Sequence, residues 1–464
     1  MSIIDAPRTS IADTPEDLFH PAVYPYAPGG ALYDQRPPVE EPQAPEAFPL
    51  NEIVAEIPVD PDTLSLPEHL RPRSIVRVEM RDPQVEALDP EDVALVALWE
   101  SELCRHVRER RERGQYTRLP GVAGGTYMDA KGEYKNGRDK KHWGDQATRE
   151  KIIEDIGPGA AAWLDTLPTG RALEILEDIS NVTEVYDYKG RLQGVMDDVG
   201  RLVLTAATHS VAIRERYTDE ALTFVGLATQ YGGTLAGKRI ASYGSGSAPG
   251  PMKGAQVIRK ANPGAADPEL VHYDINPHAV DAARELARDK MGFEGKITQR
   301  VKNLLNPVTM IMEGVKMRLT GKRSDISEAE GFWEYVDHDQ LQAIFGRRGV
   351  KVPDKPEVSF LRRMYKATKD TVMVSQMVDN GPYPEFLDAI GWGHVVRRSV
   401  AKVMQAHVDA GIDPRQVDVR IMGSGVYVRY ITHKGLAPGF AERMGIKIRK
   451  IFPGVGKVAL ANAN

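Results

Sequence analysis

Apolar positions change period along this chain. From Asp89 onward they recur at helical spacing: Leu95, Leu98, Trp99, Leu103 and Val107 share one face. The start at Asp89-Pro90-Glu91-Asp92 places a proline and acids in the first turn, as a helix prefers. Further helices are expected over Thr148–Asp155, Ala160–Thr166, Arg171–Val182 and Asp197–Tyr217, with Gly121–Trp143 as a long loop rich in Gly, Lys and Tyr. Beyond Lys238 the pattern turns to short apolar runs. One enters a glycine loop in KRIASYGSGSAPG (Lys238–Gly250), and a second, Leu270–Asp274, ends in an acid. Asn276-Pro277 then opens a segment with Ala279, Val280, Ala283 and Leu286 on one helical face. Ser324–Ala329 and Thr371–Val378 read as a fourth and a fifth strand, and a helix is expected over Val396–Ala410. Val417–Arg420 and Gly425–Thr432, on either side of Gly423-Ser424-Gly425, read as a closing hairpin. The order predicts a mainly helical segment, 89–235, followed by an α/β sheet domain, 236–435.

The glycine loop and the acid bring in chemistry. Gly244 and Gly246 let the backbone turn sharply and approach a ligand, because glycine has no Cβ to clash. The loop reads G-x-G-x-x-x-G through Gly250, which differs from the spacing of a dinucleotide-binding turn. Pro249 and Pro251 disfavour a helix starting tightly after Gly246. Asp274, at the end of the following strand, can accept hydrogen bonds from both hydroxyls of a ribose. Ligands of such sheets lie outside the carboxyl ends of the strands, where these two loops meet. Loop and acid in this order point to an adenosyl group.

With these pieces in place, Val211–Lys434 resembles the class I S-adenosylmethionine-dependent methyltransferases. The resemblance implies a Rossmann-like sheet closed by an antiparallel hairpin, S-adenosylmethionine as cofactor, and methyl transfer as the activity. It implies that Tyr243, Gly244, Ser245, Gly246, Asp274, Ile275, Asn303 and Leu304 line the cofactor site. Ser242 departs from the family pattern, standing where an acid usually helps fix the methionine end of the cofactor. G-F-W-E-Y-V (Gly331–Val336), the Asn380-Gly381-Pro382 turn and W-G-H-V-V-R (Trp392–Arg397) are similar to a branch that forms methyl esters on hydroxylated fatty acids. That similarity implies a small or lipid-like, carboxylate-bearing acceptor, with Tyr335, Tyr383, Arg214 and Arg397 as candidate contacts. No residue stands out as a catalytic acid or base. Two other readings stay open: aminobutanoyl transfer from the same cofactor, as in nicotianamine-synthase-like proteins, and a binding or scaffold protein that keeps the fold without turnover.

Composition narrows the classes further. The net charge of −5 gives no overall reason to expect nucleic acid as partner, and Cys104, the single cysteine, excludes an intrachain disulfide and a cysteine-type zinc cluster. No histidine pair has metal-ligand spacing, so no metal is expected. Nothing near Met1 resembles a signal peptide and no apolar run approaches a membrane span, which makes a cytoplasmic protein the expectation. Residues 1–70 carry 13 acids and two basic residues. With its many prolines, the stretch 1–88 reads as an acidic extended arm, and its scattered aromatics suggest packing along its own or a partner subunit in a homo-oligomer. A basic tail is expected over 436–464.

Overall fold

The computed structural model describes residues 51–115, 192–246, 248–274, 283–302, 323–345, 351–390 and 395–434, with shorter stretches between 127 and 186 and single positions at 304, 309 and 312. The chain divides into units Met1–Glu46 and Ala47–Asn464, and every described residue lies in the second. Residues 1–50, the expected helices over Ala160–Thr166 and most of Arg171–Val182, and the tail beyond 434 lie outside the described residues.

Nine strands make one sheet: β1 (Glu52–Pro58), β2 (Ser74–Arg81), β3 (Arg239–Tyr243), β4 (Glu269–Asp274), β5 (Ile297–Val301), β6 (Ser324–Ala329), β7 (Thr368–Met377), β8 (Val417–Met422) and β9 (Tyr427–His433). Their spatial order is β1-β2-β8-β9-β7-β6-β3-β4-β5. Strands β5, β4, β3, β6 and β7 run parallel, with Ser242 beside Glu328 across β3 and β6. Strand β9 enters antiparallel against both β7 and β8, so the expected hairpin closes the sheet. Burial on both faces explains the near-continuous apolar runs of β3 and β4. The α/β sheet with its antiparallel closure is the methyltransferase arrangement that the resemblance implied.

Two strands come from the segment read as an extended arm. Residues 52–81 alternate well enough to bury Ile53, Ile75 and Val78, and the prolines between them fall outside strand interiors apart from Pro58 at the end of β1. Strand β2 pairs parallel with β8, where Arg73 Nε donates to Asp418 at 2.9 Å and Ser74 Oγ donates to the same carboxylate at 2.6 Å. Glu56 of β1 meets Arg420 of β8 at 2.7 Å. Arm composition hid two strands, one of them at the edge of the sheet.

The principal helices are α1 (Pro90–Glu112), α2 (Asp198–Ala206), α3 (Thr208–Gln230), α4 (Pro249–Ala261), α5 (His338–Phe345), α6 (Pro356–Ala367) and α7 (Val400–Asp409). Asp89 caps α1 by accepting from Glu91 N at 2.9 Å, and Asp197 caps α2 by accepting from Gly200 N at 2.7 Å. The basic run of α1 forms Arg105–Glu109 and Arg113–Glu109 pairs along its surface, while Arg111 reaches across to Asp388. Two short β-ribbons, Tyr127–Met128 with Tyr134–Lys135 and Glu184–Tyr186 with Leu192–Val195, interrupt the segment expected to be helical. The helix expected over Asp197–Tyr217 is two helices, broken at Ala207, and the second continues to Gln230. Almost every residue of α3 between His209 and Ala228 is buried, charged ones included. Gly254 of α4 lets the two helices close up: a Cβ there would stand 2.8 Å from Phe224 Cβ and 2.9 Å from the Ala221 carbonyl.

Candidate active site

The glycine loop leaves β3 with Gly244 at φ +65° and Gly246 at φ +51°, conformations that side chains rarely adopt. Gly244 N–H donates to the Tyr273 carbonyl at 2.7 Å, and Ser245 N–H reaches the same oxygen at 3.2 Å. Gly246 N–H donates to Asp274 Oδ2 at 2.9 Å. The loop is therefore folded against the end of β4 by the acid that the sequence singled out. A Cβ on Gly244 would lie 2.6 Å from Phe332, which closes the loop from the β6 side. Helix α4 begins at Pro249, where a missing N–H costs nothing, and Ala248 before it takes φ +43°. The prolines delay the helix by two residues and do not prevent it.

The carboxyl end of β6 carries an unusual density of buried charge. Glu328 and Glu330 follow one another along it, and Glu330 N–H donates to Glu328 Oε2 at 2.9 Å. Glu220, from α3, points at the same place: a Cβ on Gly250 would fall 2.1 Å from its Oε2. Burial, then the charges of Glu328 and Glu330, push the Glu220 carboxyl well above the usual carboxylate range. Burial and Glu330 do the same to Glu328. Arg429 of β9 donates to Glu330 through Nε and Nη2, both at 3.0 Å, and also pairs with Asp219. Arg420 shares that aspartate at 2.8 Å. Arg216 of α3, 4% exposed, lies over the Tyr427 ring at 4.5 Å, and its Nη1 stands 3.2 Å from where a Cβ on Gly331 would be.

The expected acceptor residues divide. Arg214 is committed elsewhere: it is buried, its Nε pairs with Asp82 at 2.6 Å, and its Nη2 donates to the Thr205 carbonyl. Two residues along a helix face different ways, so Arg214 turns to the β2 side while Arg216 turns to the end of β6. Arg397 is half-buried and forms no ion pair or hydrogen bond among the described residues. Burial, then the Arg397 charge, depress the neighbouring His209 to about 3. His209 stacks on Phe386 at 5.1 Å. Tyr383, at φ +47°, packs with Phe386 and Tyr335 in one apolar cluster. Burial, then Glu334, raise the Tyr335 hydroxyl, and the Asp274 charge adds to the shift. Val396 N–H donates to the Glu334 carbonyl at 2.9 Å and ties the Arg397 segment to the end of β6.

Tyr243 and Leu304 are buried in the core beside Tyr273, so Tyr243 supports the loop from beneath. Ile275, Asn303, Trp392 and His394 lie outside the described residues. The sequence reading missed Arg216, Glu220 and Glu328. A signal for the first two was present in the Arg216–Glu220 spacing, one helical turn apart.

No protein family and no curated protein matches the chain. Among solved structures it is similar to magnesium protoporphyrin IX methyltransferase from Synechocystis PCC 6803 with bound S-adenosylmethionine, at 10% identity and TM-score 0.32, over 49% of this chain and 83% of that one. It is similar to the trans-methyltransferase CalH in complex with S-adenosylhomocysteine, at 15% identity and TM-score 0.33, over 62% of this chain and 72% of that one. A third is an S-adenosylmethionine-dependent methyltransferase of Leishmania major, at 11% identity and TM-score 0.28, over 67% of this chain and 96% of that one.

Proposed function

We propose that the loop Tyr243–Gly246 and Asp274 bind S-adenosylmethionine and that the protein transfers a methyl group to a small or lipid-like acceptor bearing a carboxylate. The observation that carries this reading is the Gly246–Asp274 hydrogen bond, which folds a side-chain-free loop against an acid at the carboxyl edge of a parallel sheet. The residues fit the group: Gly244 and Gly246 turn the loop at positive φ with no side chain, so its backbone can approach a ligand, and the adjoining charges suit an amino acid end.

S-adenosylmethionine supplies an electrophilic methyl group when bound. The transfer is an in-line displacement that depends mostly on positioning. Asp274 orients the loop. Arg397 is the counter-ion for the acceptor carboxylate, and its guanidinium offers a planar fork for that role. Phe386, Tyr383 and Tyr335 form an apolar wall that holds the tail of the acceptor and excludes water. Arg214 has no part in this, being held by Asp82.

Incubation with S-adenosylmethionine and a panel of apolar carboxylic acids, followed by mass spectrometry, tests the reading. The expected products are S-adenosylhomocysteine and a methyl ester. Asp274→Ala is expected to cut the rate at limiting cofactor by about tenfold or more, the worth of one charged hydrogen bond. Methylthioadenosine as product would assign aminobutanoyl transfer instead, and an unconsumed cofactor with every acid would overturn the enzymatic reading.

A further inference from the structure

Buried polar atoms normally find partners, so those that do not are informative. Two lie on one face of α3. Arg216 and Glu220 stand at i and i+4, and both side chains are buried. Arg216 Nε and Glu220 Oε1 have no hydrogen-bond partner among the described residues, and the two side chains do not form an ion pair with each other. Each instead reaches a glycine at the rim of the loop. Glu220 occupies the place of a Cβ on Gly250, in the first turn of α4, and Arg216 abuts Gly331, just past β6. Phe332 and Gly244 meet close by.

The charges around Glu220 are wrong for a self-sufficient core. Its carboxyl feels the charges of Glu328 and Glu330; of the two cations that act on it, Arg429 is already engaged with Glu330 and Asp219, and Arg216 makes no ion pair with it. Without a cation these crowded buried carboxyls keep their protons, and a cation brought in by a ligand would let them ionise against it. Among the described residues no group of three or more His, Cys, Asp or Glu side chains could hold a metal ion. An ammonium, with three donors to share among Glu220, Glu328 and nearby oxygens, suits the place. Arg216, one turn away, offers the complementary site for a carboxylate.

We propose that Glu220, assisted by Glu328, binds the ammonium of an α-amino acid group and Arg216 its carboxylate, so that α3 holds the amino acid end of the ligand whose adenosyl end Asp274 holds. This rests on the cofactor reading above and explains how the site works with Ser242 in place of an acid. Ser242 lies beside Glu328 in the β3–β6 pairing, so the missing negative charge is supplied from the neighbouring strand and from α3.

Calorimetry on the full chain separates this proposal from the reading beneath it. The probes are S-adenosylhomocysteine, its deaminated analogue, and 5′-methylthioadenosine, which lacks the amino acid end altogether. Wild type is expected to bind S-adenosylhomocysteine about tenfold or more tightly than either of the others, the effect of losing a charge-assisted contact. Glu220→Gln is expected to erase most of the difference between S-adenosylhomocysteine and the deaminated analogue while leaving methylthioadenosine unchanged. Should that variant fail to fold, the comparison of the three ligands on wild type still decides. Equal affinity for S-adenosylhomocysteine and the deaminated analogue overturns the clamp and leaves the cofactor reading intact. Binding of neither S-adenosylhomocysteine nor methylthioadenosine to wild type overturns both.

Discussion

Gly250 stands where two requirements collide. It lies in the first turn of α4, where alanine would favour the helix by up to about 1 kcal/mol. A Cβ there would nevertheless fall 2.1 Å from Glu220 Oε2 and 2.2 Å from its Cδ. The carboxylate is buried and cannot swing into solvent, so the clash outweighs the propensity gain. Gly250→Ala is expected to destabilise the fold by about 1–3 kcal/mol, typical of overpacking, as measured by urea denaturation. Trimming the opposing side chain in the double variant Gly250→Ala, Glu220→Ala should recover part of that loss. Full additivity of the two changes would mean that the side chains do not meet.

At the scale of elements, legibility followed burial by apolar groups. Strands β3, β4 and β7 and the closing hairpin were readable because their runs are apolar and bounded by glycine or acid. The Gly246–Asp274 pairing of loop and strand end was readable for the same reason. Helix α3 was readable only as far as Tyr217, because RERYTDE looks like a solvated face, whereas the structure buries all of it against α4 and the sheet. The charges there answer one another through partners distant in sequence, and no local pattern encodes that. Arg214 shows the consequence: sequence position suggested a ligand contact, and Asp82, 132 residues away, claims it. Asp82→Ala should leave a buried guanidinium without its counter-ion and cost about 3–5 kcal/mol. Removing both charges with Asp82→Ala and Arg214→Met is expected to cost less than the sum of the single changes. A strictly additive double-mutant cycle in chemical denaturation would contradict the pairing.

Across the whole molecule, buried ionisable groups set how stability depends on pH. Burial pushes Glu100, Glu215 and Glu334 up to about 7. A carboxyl with a raised value in the folded state favours folding below its unfolded value, near 4.5, and that contribution is lost as pH climbs through 7. Burial depresses His209 to about 3 and His272 and His407 to about 4. Those imidazoles work in the opposite sense, favouring folding above about 6.5 and losing the contribution as pH falls toward 4. The two sets oppose each other between pH 4.5 and 6.5, and above 6.5 the carboxyls act alone until Lys253, depressed to about 7 by burial, begins to counter them. Urea midpoints of the ligand-free protein should therefore fall most steeply between about pH 6.5 and 7. Glu100→Gln should flatten that fall, and an unchanged slope in the variant would remove Glu100 from the account.

The parallel pairing of β2 with β8 has a consequence in time. Arg73 and Asp418 are 345 residues apart in the chain, so β2 leaves the ribosome long before its partner strand exists. At roughly 5–20 residues per second, translation separates the two by tens of seconds. During that interval β2, which buries Ile75 and Val78 in the finished sheet, has β1 on one side and no strand on the other. The nascent amino-terminal segment must wait with one open edge, and the β8–β9 hairpin is the one that lets it settle.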